Sequence, residues 1–253
     1  MTSRRNALRA LVGSLGVLCL LTLAVPDAGA AVEVVEVEGS AFALFVQGET
    51  PDPVPSPPAA LTPANGEATP QAVLAFGPAP FVELPPEGGG PITDSFANVN
   101  LALGLLTSGI GEASTEGSLG PDGTVASSAS LADLDIAEGT ASASLISAEC
   151  TSGLDGPDGS SSIVEGQIDG NPLPASPDPN TVIDLGPLGS ITLNRQVVDG
   201  DRIEVTAIAV ELTAFEFTGT LEIAQAVCGV TTADIPEEPA AEGPIAAEPV
   251  FTG

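Results

Sequence analysis

From residue 92 onward the chain alternates runs of Val, Ile, Thr, Ser and Ala with Gly-Pro, Asp-Gly and Gly-Ser turns. β-Branched and small residues between turn residues favour strands, and no stretch has the apolar period of an amphipathic helix. Strands are predicted at residues 101–107, 124–131, 140–150, 181–185, 190–193, 202–215 and 218–230. This pattern predicts an all-β fold, a single antiparallel β-sandwich or barrel-like domain over residues 31–233.

The segments on either side of this pattern have different compositions. Residues 31–47 alternate Val and Glu and then become apolar, which predicts two strands joined by a turn at Gly39-Ser40. Residues 49–91 are rich in proline and glycine, and proline cannot donate to a sheet ladder, so a long Pro/Gly-rich connector is predicted, with its apolar pieces lying against the domain. Acids and prolines dominate residues 234–253, which predicts a disordered acidic C-terminal tail.

The N-terminus has the order of an export leader. Paired arginines precede an apolar run over residues 11–25, and the small residues 28–30 complete it. This order predicts a signal peptide over residues 1–30, cleaved after Ala30. A twin-arginine signal and an ordinary secretory signal both fit, so the export route stays open. No run reaches the roughly 20 residues of a membrane span, so the mature chain is expected outside the cytoplasm or at the cell surface, without a span.

The net charge of −29 is strongly one-signed, and it excludes nucleic acid and anionic lipid as partners because their phosphates would be repelled. The acids act either to keep the chain in solution or to bind cations. Removal of the leader leaves Arg195 and Arg202 as the only basic residues, and both are expected to pair with neighbouring acids.

Two cysteines, Cys150 and Cys228, follow the leader. An oxidising compartment favours pairing, so a disulfide is predicted between them; the alternative is two buried free thiols. A paired cysteine cannot act as a nucleophile.

The chemistry open to the mature chain is narrow because it contains no His, Lys, Tyr or Trp. Ser160 to Ser162 is expected to form a turn and has no base to activate it. No catalytic residue, cofactor or metal ligand is assigned, and the chain is predicted not to be an enzyme. The remaining catalytic alternative is a carboxylate hydrolase, which would use one of three local pairs. These pairs are Asp133 with Asp135, Asp155 with Asp158, and Asp199 with Asp201.

Calcium is a further alternative because it takes oxygen ligands alone. Residues 154–160 and 198–201 contain Asp-Gly turns that could supply such oxygens, but their spacing fits no established calcium loop. Asp-Gly also forms ordinary hairpin turns, because both residues tolerate positive φ.

Several segments together resemble the choice-of-anchor P family across about residues 39–230. These segments are residues 81–91, 97–100, 120–130, 148–150 and 180–185. The resemblance implies an exported bacterial surface protein with two cysteines placed as Cys150 and Cys228 are, and it brings no catalytic or ligand residues. It also implies a C-terminal device for attachment, such as a sortase signal. The ending at residues 248–253 departs from Leu-Pro-x-Thr-Gly by one inserted residue.

The predicted function is therefore a non-enzymatic exported or cell-surface structural or adhesive β-module. A weak calcium- or carbohydrate-binding module is the first alternative and a carboxylate hydrolase the second. Calcium and a cell-wall component are the candidate partners.

Overall fold

Strands make up most of the described chain in a computed structural model, which describes residues 31–49, 74–101, 106–136, 138–213 and 218–235. These residues belong to one compact unit, Ala31–Pro236. The predicted signal peptide with its cleavage site at Ala30, residues 50–73 of the predicted connector and residues 236–253 of the predicted tail lie outside the described residues. Among the residues described, no helix is both long enough and apolar enough to cross a membrane.

The strands, in chain order, are β1 (Ala31–Glu49), β2 (Leu74–Glu83), β3 (Gly89–Phe96), β4 (Val99–Leu101), β5 (Leu106–Ser108), β6 (Gly111–Ser118), β7 (Thr124–Ile136), β8 (Ala141–Gly153), β9 (Asp158–Val164), β10 (Gln167–Ile168), β11 (Asn171–Pro172), β12 (Thr181–Asp184), β13 (Gly189–Asp199), β14 (Arg202–Leu212) and β15 (Thr218–Ile235). A short 3-10 turn, Gly186–Leu188, precedes β13.

The strands form two antiparallel sheets, which confirms the all-β prediction. Sheet A has six strands in the order β12-β13-β14-β15-β1-β2. Sheet B has nine strands; its path runs β11-β10-β8-β7-β5-β4, with β6 and β3 pairing outward from β7 and β9 pairing with β8. An isolated bridge between Val34 and Gly120 links the sheets at one end.

The core lies between the inner faces of the two sheets and is built from Val, Ile, Leu and Ala. The predicted disulfide is confirmed there: Cys150 on β8 of sheet B is bonded to Cys228 on β15 of sheet A, with the Cα atoms 5.9 Å apart. Packed sheets usually lie about 10 Å apart, so the sheets approach each other closely at this point.

The predicted turn at Gly39-Ser40 is wrong, because β1 continues through it as one strand. Gly39 faces the core, and a Cβ built there would meet Thr115, Val125 and Ser127. The glycine therefore allows sheet B to approach β1 and does not reverse the chain.

Part of the predicted connector is strand. β2 lies at the edge of sheet A, where a proline does not remove a hydrogen bond from the interior of the sheet. Val82 and Leu84 are buried, which confirms that this apolar piece lies against the domain.

Two other local predictions also change. Ser160 to Ser162 lie within β9 and are not a turn, because the chain reverses earlier, at Leu154 and Asp155. β15 continues to Ile235, so the first two residues of the predicted tail are paired with β1.

A row of irregular residues crosses sheet A. Asn194 and Ala224 have φ values of 50° and 52°, and the strand register places Ala207 and Ala43 in the same row. Along β15 the buried inward side chains change from Cys228 and Ala226 on one side of this row to Ile223 on the other. At this row the alternation of inward and outward side chains shifts by one residue. β15 therefore presents apolar side chains to the core on both sides of the row.

We expect Ala224→Gly to leave the free energy of unfolding nearly unchanged, because relief of the left-handed conformation, about 1 kcal/mol, offsets the loss of about 1 kcal/mol that glycine otherwise brings to a strand. Urea denaturation monitored by circular dichroism measures the change. Ala226→Gly is the matched control: this residue is equally buried, has no positive φ, and should lose about 1 kcal/mol. Equal losses in both variants would contradict the prediction.

Candidate functional site

The outer face of sheet B carries a polar surface that the strands organise. Along β7 the inward side chains Val125, Ala129 and Leu131 are buried, whereas Ser128 and Ser130 between them are partly exposed. The same alternation runs through β6, β8 and β9. Because side chains alternate between the faces of a strand, the Ser-rich half of each strand becomes a single surface.

Strand register aligns these outward side chains in rows across five strands. The first row is Ser95, Glu112, Ser130, Ser147 and Ser162, and the second row is Thr93, Ser114, Ser128, Glu149 and Ser160. Neighbouring positions in a row are about 4.8 Å apart, and successive rows are about 7 Å apart. We call these ten residues the hydroxyl face.

The hydroxyl face carries oxygen groups in a shallow open concavity of about 600 Å³. Ser147 and Ser162 are hydrogen bonded at 2.9 Å between their Oγ atoms. Glu112 and Glu149 are exposed, and the ion pairs found among the described residues involve other acids. The face can therefore donate and accept hydrogen bonds and favours cationic groups.

Arg195 lies on the outer face of sheet A, and its predicted pairing is confirmed. Its Nη2 donates to Glu222 Oε1 at 2.6 Å and to Glu204 Oε1 at 3.3 Å. Nη2 also donates to the hydroxyl of the buried Thr206, and Gln225 donates to both Glu204 and Thr206. This network satisfies the buried Thr206 hydroxyl and holds the guanidinium between two carboxylates through Nη2, whereas Arg195 Nε is buried and has no hydrogen-bond partner among the described residues.

Arg202 is also paired as predicted, with its Nε 3.1 Å from Glu38 Oε1. It lies in a second open concavity on sheet A together with Asp199 and Asp201. Gly200 and Asp201 form the two-residue β13–β14 turn, and Gly200 has a φ of 59°. Because only the first loop residue has a positive φ and it is a glycine, the turn has the type II′ pattern and not the Asp-Gly type I′ pattern.

The other predicted carboxylates occupy turns and strand irregularities. Asp133 has a φ of 51° and is unpaired within β7, although the β7–β8 register is the same on both sides of it, and Asp135 Oδ1 accepts a hydrogen bond from Gly139 N at 3.1 Å. Asp155 lies in the β8–β9 turn and Asp158 begins β9. Within the part of the chain that the structure describes, no group of three or more acidic or cysteine side chains is placed to hold a metal ion.

Sequence reasoning did not identify the hydroxyl face. Alternate serines are visible in residues 126–130, but only the strand register shows which serines share a surface with Glu112 and Glu149. The alternate serines could have indicated that one face of this strand is exposed, but not which strands lie beside it.

Comparisons with family models, curated proteins and solved structures found no match to this chain.

Proposed function

We propose that the protein is a non-enzymatic exported or cell-surface module, structural or adhesive, that binds its target through the hydroxyl face. The observation that carries this proposal is the alignment of serine, threonine and glutamate side chains in register across β3, β6, β7, β8 and β9. The disulfide in the core supports an oxidising compartment.

The chemistry of this face suits an extended polymer with hydroxyl, amide or amine groups. Each serine hydroxyl can donate and accept, and a short side chain loses little conformational entropy when it is held. The rows extend over five strands, so many weak contacts can act together on one polymer chain. A cell-wall component is the target class that this argument favours.

Binding to purified cell-wall material tests the proposal. Ser128 lies near the centre of the hydroxyl face, and Ser128→Phe should lower the retained protein at least about tenfold by blocking close approach. Gln47→Phe is the matched control, because Gln47 is exposed on β1 of sheet A. If both variants and the unchanged protein are retained equally, the hydroxyl face is not the surface that binds the cell wall.

Weak calcium binding is a second candidate, and it would rest on attraction by several neighbouring acids, because no three of the described acids are placed to coordinate one ion. Glu36, Glu38, Glu83, Asp199 and Asp201 all line the concavity of sheet A that contains Arg202. Thermal unfolding with and without millimolar calcium distinguishes this candidate, because a ligand that binds only the folded state raises Tm. An unchanged Tm would assign these acids to solubility.

A further inference from the structure

Two turns at one end of the domain share a sequence that is otherwise not explained. The β6–β7 turn reads Leu119-Gly120-Pro121-Asp122-Gly123, and the β8–β9 turn with the first two residues of β9 reads Leu154-Asp155-Gly156-Pro157-Asp158-Gly159. Both contain Leu, Gly, Pro, Asp and Gly in the same order, with one extra aspartate in the second. We call them the leucine turns.

The leucine turns lie side by side. Thr124, which follows the first turn, pairs with Gly153, which precedes the second. A Cβ built on Gly153 would lie 3.2 Å from the carbonyl oxygen of Gly123 and 3.1 Å from Thr124 Cγ2. The two leucines are therefore presented by neighbouring turns at the same end of the β7–β8 pair.

Backbone hydrogen bonds hold both turns. Gly123 N donates to Gly120 O, and Gly156 N donates to Gly153 O, each at 3.0 Å. Gly120 also exchanges two backbone hydrogen bonds with Val34 of β1, at 2.9 and 3.0 Å. Near the second turn, Ser152 Oγ donates to Asp201 O at 2.6 Å. The leucines are consequently carried by turns whose conformation is set before any partner arrives.

Both leucine side chains face solvent. Leu119 is 41% exposed and Leu154 is 45% exposed. A single exposed leucine needs no explanation, but here two lie on adjacent turns of matching sequence at one end of the β7–β8 pair, where one partner segment can reach both. Asp122, Asp155 and Asp158 lie in these turns or directly after them and are exposed, and the ion pairs formed by the described residues do not include these aspartates.

We propose that the leucine turns dock a protein segment that carries apolar side chains flanked by lysine or arginine. Charge selects this occupant: a second copy of this chain brings the same excess of acids, and anionic lipid would be repelled. The apolar contacts bury the leucines, while the aspartates steer the cationic side chains and set the salt dependence. This surface is separate from the hydroxyl face, so it is a second interaction of the module.

Fluorescence anisotropy with a labelled peptide of alternating leucine and lysine tests this docking. Leu119→Ser with Leu154→Ser should weaken binding about tenfold or more, because two partly exposed leucines lose their apolar contact. Leu188→Ser is the matched control, because Leu188 is 41% exposed. Leu188 lies before β13, at the opposite end of that strand from the β13–β14 turn. The β13–β14 turn is the one near the leucine turns, since its Asp201 accepts the hydrogen bond from Ser152. This control variant should bind as the unchanged protein does.

Asp122→Asn with Asp155→Asn should weaken the dependence of binding on salt, because fewer charges remain to be screened. Three outcomes would overturn the proposal: equal binding after the leucine substitutions, equal binding of a peptide with serine in place of leucine, or leucine-dependent binding to vesicles of zwitterionic lipid. Ser128→Phe should leave peptide binding unchanged, so loss of the hydroxyl-face function and loss of this docking can be separated.

Discussion

Replacing both Cys150 and Cys228 by alanine is expected to lower the free energy of unfolding by about 4.5 kcal/mol. The cysteines are 78 residues apart in sequence, and the cross-link removes the freedom of that long loop from the unfolded chain. Both residues are buried between the sheets, so the lost sulfur atoms also leave unfilled volume in the core. Urea denaturation of the disulfide-bonded protein and the double variant measures the difference.

The disulfide also predicts how the protein responds to a reductant. Because both sulfurs lie in the core, the native protein should be reduced only as fast as it opens, and thiol labelling should rise steeply with urea. The unchanged protein kept in reductant and urea, then diluted, should refold to about the stability of the double variant. A double variant as stable as the disulfide-bonded protein would contradict the chain-entropy argument.

The sequence predicted best those strands whose own residues favour extended structure. β14 and β15 are rich in Val, Ile, Thr and Ala, whereas β7 and β8 alternate small polar with apolar residues, and all four have turn residues at their ends. β6 was missed because Gly, Glu and Ser dominate it, and its strand conformation comes from pairing with β3 and β7. Local preference was overridden there by the neighbouring strands.

Long-range contacts explain the other differences. A glycine in a strand signals a turn or a close approach equally well, and only the position of Thr115 opposite Gly39 distinguishes them. The positive φ values of Asn194 and Ala224 belong to a row that four strands of sheet A share, so a single segment contains no sign of it. The hydroxyl face required registers across five strands for the same reason.

Gly39→Ala is expected to lower the free energy of unfolding by about 2–3 kcal/mol, although it adds a single methyl group. The new Cβ would lie 3.0 Å from Val125 Cγ2 and would crowd the Thr115 and Ser127 hydroxyls, which are hydrogen bonded to each other at 2.8 Å. All three neighbours are buried, so the methyl either strains the core or breaks that hydrogen bond.

The control for this substitution lies one residue from the disulfide on the neighbouring strand. A Cβ on Gly229 would meet the flexible Arg202 side chain at 3.3 Å, and Gly229 has no positive φ. Gly229→Ala should therefore cost no more than about 1 kcal/mol, because a small shift of the Arg202 side chain makes room for the methyl group. Urea denaturation of both variants makes the comparison, and similar losses would show that the hydroxyl pair is not the cause.

Gly39 and the disulfide should also depend on each other. Gly39 is paired with Cys228 on sheet A, and Ser127 is paired with Cys150 on sheet B, so the glycine and the disulfide lie in facing rows. The Cα atoms of the bonded cysteines are 5.9 Å apart, and sheets this close leave no room for a side chain at residue 39. In the variant without cysteines the sheets can separate slightly, so Gly39→Ala should cost at least about 1 kcal/mol less there. If Gly39→Ala lowers the free energy of unfolding equally with and without the cysteines, the packing around Gly39 sets the distance between the sheets and the disulfide does not.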